Sequence, residues 1–244
     1  MVGHDAQRSV GARSGGEIGR VGVSRGVLFD MSSNDKAAGG VMAPCQDVFD
    51  ALGAHAIVER YRNGLAALDP RVLDMPDEQA DRWFEQSEGV GLWSPRALLT
   101  HLMDAETLYA MRLRRTLAEE APGFENWDEH AFLDSRLSRP GTDSLLMPCG
   151  ACVAMLHTMR QTMATVLVQL NDEDWDRRAM NPYLGEVALL EMVRYVTWHL
   201  EHHAAYLNAK VTLVLGPAKV GEETFAGCGE DCACASQNGE DPAG

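Results

Sequence analysis

The chain has 244 residues, 45% of them hydrophobic, and a formal charge of −15 at pH 7. This predicts a soluble, mainly single-domain protein, and no apolar run approaches the ~18 residues that a membrane-spanning helix needs. The acidic balance argues against non-specific attraction to nucleic acid or an anionic membrane, because both require clustered Lys and Arg. A small-molecule substrate is the expected partner, and a homodimer is left open.

Residues 1–43 are rich in Gly, Ser and Arg with no sustained apolar period, so a disordered N-terminal extension is expected there. Met31 offers a second plausible start. The segment lacks an apolar core followed by a small-residue cleavage site, which predicts a cytoplasmic setting with six cysteines that are reduced, metal-bound or redox-active. The folded body is assigned to residues 44–216, and it carries −11 of the −15 charge.

Within that body the apolar period is helical. Phe49, Leu52, Ala56, Ile57, Tyr61, Leu65 and Leu68 fall at steps of three and four until Asp69-Pro70 stops the run. A short amphipathic piece from Pro76 to Glu85 leads to Gly89-Val90-Gly91-Leu92-Trp93. Ser94-Pro95 then supplies an N-cap with proline at the first helical position, and Leu98, His101, Leu102, Ala105, Tyr109 and Leu113 share one face of the second helix.

A long loop from Ala121 to Thr142 connects to a third run through Leu156, Met159, Met163, Val166, Leu167 and Leu170, ended by Asn171-Asp172. After Asn181-Pro182 a fourth run extends from about Gly185 to Leu215 without an internal proline. Leu215-Gly216-Pro217 is a helix stop, and residues 217–244 read as a flexible, acidic, cysteine-rich tail. Four long amphipathic helices with almost no alternating pattern predict an all-α four-helix bundle.

Histidines carry the chemistry. Projected at about 100° per residue from His199, His203 falls at about +40°, inside the stripe of Met192, Val196 and Leu207, whereas His202 falls at about −60°, at its edge. Imidazoles four residues apart on one helix converge on one ion, and a third from a neighbouring helix completes a facial set with open positions. His101 stands on the apolar face of the second helix. Ordinary buried or surface histidines are the alternative at each position.

Other metal signatures are absent. There is no His-Glu-x-x-His, the inverted zinc motif would need histidine where Trp198 stands, and no glutamate lies three residues before any histidine. Nor is there a Walker loop or a Gly-x-Ser-x-Gly elbow.

Several pieces occur in the order of one known family. They are Trp93-Ser94-Pro95 opening a helix, His101-Leu102-Met103-Asp104-Ala105-Glu106 within it, Leu170-Asn171-Asp172-Glu173-Asp174-Trp175 after the third helix, and Gly185-Glu186-Val187 before His199-Leu200-Glu201-His202-His203. Over residues 46–212 the chain resembles the DinB/YfiT-like metalloenzymes. That resemblance implies a four-helix bundle of up-down-down-up order, with a divalent ion (Zn, Ni or Mn) held by His101, His199 and His203. Characterised members include S-transferases that use low-molecular-weight thiols, so a thiol cofactor and S-transfer, or a related hydrolysis or isomerisation, are expected. Coordination deprotonates a thiol, which suits such chemistry.

Asp104 and Glu106 are the candidate catalytic carboxylates, placed to orient an imidazole or move a proton, with a solvated helix face as the alternative. His130 is a lesser candidate to approach the open metal position. His55 and His157 read as surface or packing residues.

Cys149-Gly150-Ala151-Cys152 has redox spacing at a helix start, yet both thiols continue the apolar stripe toward Leu156, which makes packing the favoured reading. Cys228, Cys232 and Cys234 in the tail suggest capture of a soft ion or disulfide exchange. A non-catalytic, metal-binding or stress-associated bundle with an active cysteine tail is therefore the competing functional class.

Overall fold

The computed structural model describes residues 41–135 and 147–218. Four helices dominate: α1, Ala54–Asn63; α2, Pro95–Ala118; α3, Cys149–Leu167; and α4, Leu189–Leu215. No helix among the described residues is long and apolar enough to cross a membrane. The expectations for residues 1–40, for much of the loop before α3 and for nearly all of the tail, including Cys228, Cys232 and Cys234, fall outside the described residues.

Each helix packs on two others: α2 lies against α3 and α4, and α1 lies against the same pair. Side-chain pairs fix the directions. Arg194 Nε donates to the Leu52 carbonyl at 2.9 Å, Arg60 pairs with Glu201 at 2.7 Å, and Asn208 Nδ2 donates to the Ala67 carbonyl at 2.7 Å, so α1 and α4 run parallel. Arg96 reaches the Met147 carbonyl at 3.2 Å while Glu106 pairs with Arg160 at 2.8 Å, so α2 and α3 are parallel too. Tyr109 meets Tyr195 and His101 meets His199, which sets α2 antiparallel to α4. The order is therefore up-down-down-up, as expected.

Leu98, Leu99 and Leu102 of α2, Cys152 and Leu156 of α3, and Leu200, Leu207 and Val211 of α4 fill the centre. Each such leucine contributes roughly 2–3 kcal/mol by burial. Ser94 Oγ accepts from the Ala97 amide at 3.1 Å, the expected cap of α2 and worth about 1 kcal/mol.

Three expectations are corrected. The first helical run is not continuous: Asp47–Asp50 forms a separate turn, and Gly53, in an extended conformation, begins α1 anew. The break leaves the Leu52 carbonyl outside a helix, where Arg194 binds it. The fourth run does not begin at Gly185. Strand β1 (Arg178–Asn181) pairs antiparallel with β2 (Gly185–Ala188), with Ala179 opposite Val187 on the buried side. Asn181 Oδ1 accepts from the Tyr183 and Leu184 amides, and Gly185 takes a φ of 75°, so the turn chemistry overrides helix propensity. Asn171 does not end α3, which stops at Leu167; it caps the short helix Asp172–Trp175.

Candidate metal centre

Antiparallel packing of α2 on α4 brings His101 opposite His199 and His203. Their ring centroids lie 5.1 and 5.0 Å from His101 and 4.6 Å from each other. Nε2 of His101 is 3.2 Å from Nε2 of His199, and one nitrogen from each ring lies within 4.8 Å of the other two. All three side chains are buried, at 2–5% exposure.

Burial also sets their charge. His101 is pushed down to about 3, by desolvation first and by the nearby charge of His130 second. His199 and His203 are held well below the ordinary histidine range, again by desolvation first, with His101 and His202 adding to both and His199 adding to His203. Neutral imidazole is the form that binds metal.

The donor set fits a divalent ion. Two nitrogens bound ~2.1 Å from one ion stand about 3.2 Å apart when the angle between them is ~100°, between octahedral and tetrahedral values. His101 Nδ1 is buried with no hydrogen-bond partner among the described residues. A metal-binding imidazole usually donates its second N–H to an acceptor. Here aromatic rings hold the imidazoles instead: Trp127 stacks on His101 at 5.4 Å, Trp93 on His203 at 6.1 Å, and Tyr195 on His199 at 5.8 Å.

The wall residues are themselves positioned. Lys210, only 1% exposed, donates to the carbonyls of Val90 and Gly91, the latter at 2.8 Å, and so fixes the loop that presents Trp93. Gly89 and Gly91 take φ of 69° and 74°, which side-chain-bearing residues rarely adopt. Trp127 comes from a strap that follows α2. Its start is tied to β1, since the Phe124 amide donates to the Met180 carbonyl at 3.0 Å and the Met180 amide to the Pro122 carbonyl at 2.8 Å.

The structure does not bring Asp104 or Glu106 into the histidine cluster. Glu106 is not on a solvated face. One oxygen accepts from Tyr61 Oη and the other from Arg160 Nη1 at 2.8 Å, which ties α1, α2 and α3 together. Burial raises its pKa, with Arg160 and Tyr61 opposing. Asp104 is half-buried on the side of α2 toward Cys152, and burial lifts it to about 6. His55, His130 and His157 are exposed.

Cys149 and Cys152 lie in the core, where desolvation pushes Cys149 up to about 11 and Cys152 in the same direction. Packing is their role in the described fold. Sequence reading missed Trp93 and Trp127 as site walls; neither has a spacing signal, because each reaches the site from a loop.

Residues 60–207 match the DinB superfamily. The chain belongs to that family. A relative from Oceanobacillus iheyensis, named "Putative metal-dependent hydrolase", is 24% identical over 151 residues, covering 62% of this chain and 79% of its own. A second protein of that organism with the same type of name is 22% identical over 166 residues, covering 66% and 90%. Among solved structures, YfiT from Bacillus subtilis, described as a probable metal-dependent hydrolase with an unusual four-helix bundle topology, superposes with a TM-score of 0.58 at 20% identity. The match covers 76% of this chain and 99% of YfiT, and shows a shared fold.

Proposed function

We propose that this DinB superfamily member is a divalent-metal-dependent enzyme that activates a small nucleophile, with a low-molecular-weight thiol as that nucleophile and S-transfer to a small electrophile as the reaction. The observation that carries this reading is the convergence of three buried, neutral imidazoles from two helices, with Nε2 of His101 and His199 3.2 Å apart. His101, His199 and His203 would hold the ion. When bound, it supplies positive charge that lowers the pKa of a thiol or water and leaves positions open to a ligand.

The protein's own groups shape what surrounds that nucleophile. Trp93 and Trp127 stand against His101 at ring distances of 5.1 and 5.4 Å, excluding bulk water and strengthening local electrostatics. Asp104, one turn along α2 from His101 and lifted to about 6 by burial, is suited to proton exchange near neutral pH.

Hydrolysis, with water as the nucleophile, is the second reading, supported by the names of the Oceanobacillus relatives. The test is to load the purified chain with Zn, Ni or Mn and follow chlorodinitrobenzene and p-nitrophenyl ester turnover, each with and without added thiol. Thiol-dependent loss of chlorodinitrobenzene, abolished in His203→Ala, supports transfer. Thiol-independent ester cleavage with the same dependence on His203 would replace it with hydrolysis. Neither activity from protein containing one ion per chain would return the site to a binding role.

A further inference from the structure

Two of the three arginines buried among the described residues have carboxylate partners. Arg96 is paired with Asp77 and Asp81, and Arg160 with Glu106. Arg112 is equally buried, at 5% exposure, yet among the described residues no carboxylate lies within ion-pair distance. Its Nη2 donates to the Glu125 carbonyl at 2.9 Å, its Nε has no partner, and its guanidinium lies 5.3 and 5.4 Å from the rings of Tyr109 and Phe124. Tyr109 also hydrogen-bonds with it through its side chain, so the buried guanidinium is held by one carbonyl, the Tyr109 side chain and the Phe124 ring, and its unsatisfied Nε belongs to the fork geometry that matches a carboxylate.

Arg112 is linked to the candidate metal centre through two ring contacts. Its neighbour Tyr109 packs on Tyr195 at 5.3 Å, and Tyr195 packs on His199 at 5.8 Å. Arg112 and His101 lie on one face of α2, eleven residues or ~16 Å apart along the axis. Both side chains lean toward the helix N-terminus, the longer arginine further, so the guanidinium approaches the imidazoles to less than that axial separation. The strap spans the same interval: Glu125 touches Arg112, and Trp127, two residues on, covers His101.

We infer that Arg112, with Tyr109 and Tyr195, forms an anion subsite that binds a carboxylate at the far end of the molecule whose reacting group sits at His101, His199 and His203. The ligand class is an extended, carboxylate-bearing small molecule of about dipeptide length. This rests on the proposed thiol chemistry only in naming which end of the ligand reacts. The incoming carboxylate takes the donors of Arg112 that the protein leaves open and replaces the Glu125 carbonyl as its partner.

The test is equilibrium titration of the zinc-loaded full chain with reduced glutathione and with its uncharged diethyl ester, in the native protein, Arg112→Lys and Arg112→Met. The expected result is at least tenfold tighter binding of the acid than the ester, a preference lost in Arg112→Met and partly kept in Arg112→Lys. Equal binding of acid and ester to the native protein overturns the subsite whatever the variants do, as does a preference that survives in Arg112→Met.

A metal-free thermal titration with glutarate, which carries no thiol, separates this inference from the reading beneath it. A saturable rise in Tm that Arg112→Met abolishes supports the subsite even where no thiol binds. Binding of both thiols alike with no glutarate effect removes Arg112 and leaves the thiol reading intact.

Discussion

His101 and His199 meet through their Nε2 atoms at 3.2 Å although 98 residues separate them in the chain. Both rings are neutral, and neither approach is bridged by a carboxylate among the described residues. Replacing one of three ligands should therefore abolish stoichiometric binding. His199→Ala and His203→Ala are expected to fall from about one ion per chain to near zero after dialysis, by inductively coupled plasma mass spectrometry, with unchanged far-ultraviolet circular dichroism.

Acid sensitivity of the metal-free protein follows from the same burial. A histidine whose folded pKa lies below its unfolded value binds fewer protons when folded, so its contribution is present above about 6.5 and is lost as pH falls toward the folded value, about 3 for His101. Each such group gives a slope of about 1.4 kcal/mol per pH unit. His199 and His203 share the direction. Asp104, lifted to about 6, acts oppositely: its contribution is present at low pH and is lost as pH rises through about 6, so it offsets part of one histidine. Urea midpoints of chelator-treated protein should drop between pH 7 and pH 5, and a flat profile would contradict buried, neutral rings.

Glu106 should matter to the fold and not to the ion. Glu106→Gln leaves the guanidinium of Arg160, which is fully buried, without its counter-charge. Loss of one partner from such a pair costs on the order of 3–5 kcal/mol. The expected outcome is a large fall in urea midpoint with metal content still near one per chain. Loss of metal at retained stability would instead make Glu106 part of the site.

The Cys149-x-x-Cys152 pair should behave as core. Both thiols are buried with raised pKa, while Cys45 is exposed. In a timed iodoacetamide reaction at pH 8 read by peptide mass spectrometry, Cys45 should be modified at least a hundredfold faster than Cys149 or Cys152, with the difference erased in urea. Comparable native rates would revive a redox role.

Much of the bundle was legible because its signals are local. Ser94-Pro95 announces α2, and the spacing of His199 and His203 places both rings on one stripe of α4. What escaped depended on partners distant in sequence. The break before α1 is marked only by Gly53 and by Arg194 reaching back to Leu52. Four-residue strands are too short for alternation to stand out, so Val187 was indistinguishable from the start of a helix. Glu106 looked like one of two carboxylates beside a ligand; only the positions of Tyr61 and Arg160, on α1 and α3, reveal that it serves as an internal counter-ion. Trp127 gave no sign, since a loop has no periodicity to project.

The up-down-down-up order also has a temporal side. A bundle whose first and last helices run side by side cannot close until synthesis has passed Leu215, and two of its three imidazoles reside on that last helix. A nascent chain that ends before α4 offers a lone imidazole at His101, which no divalent ion holds for long. Ion uptake thus waits for the non-local docking of the last helix, and an occupied centre reports that synthesis has passed α4.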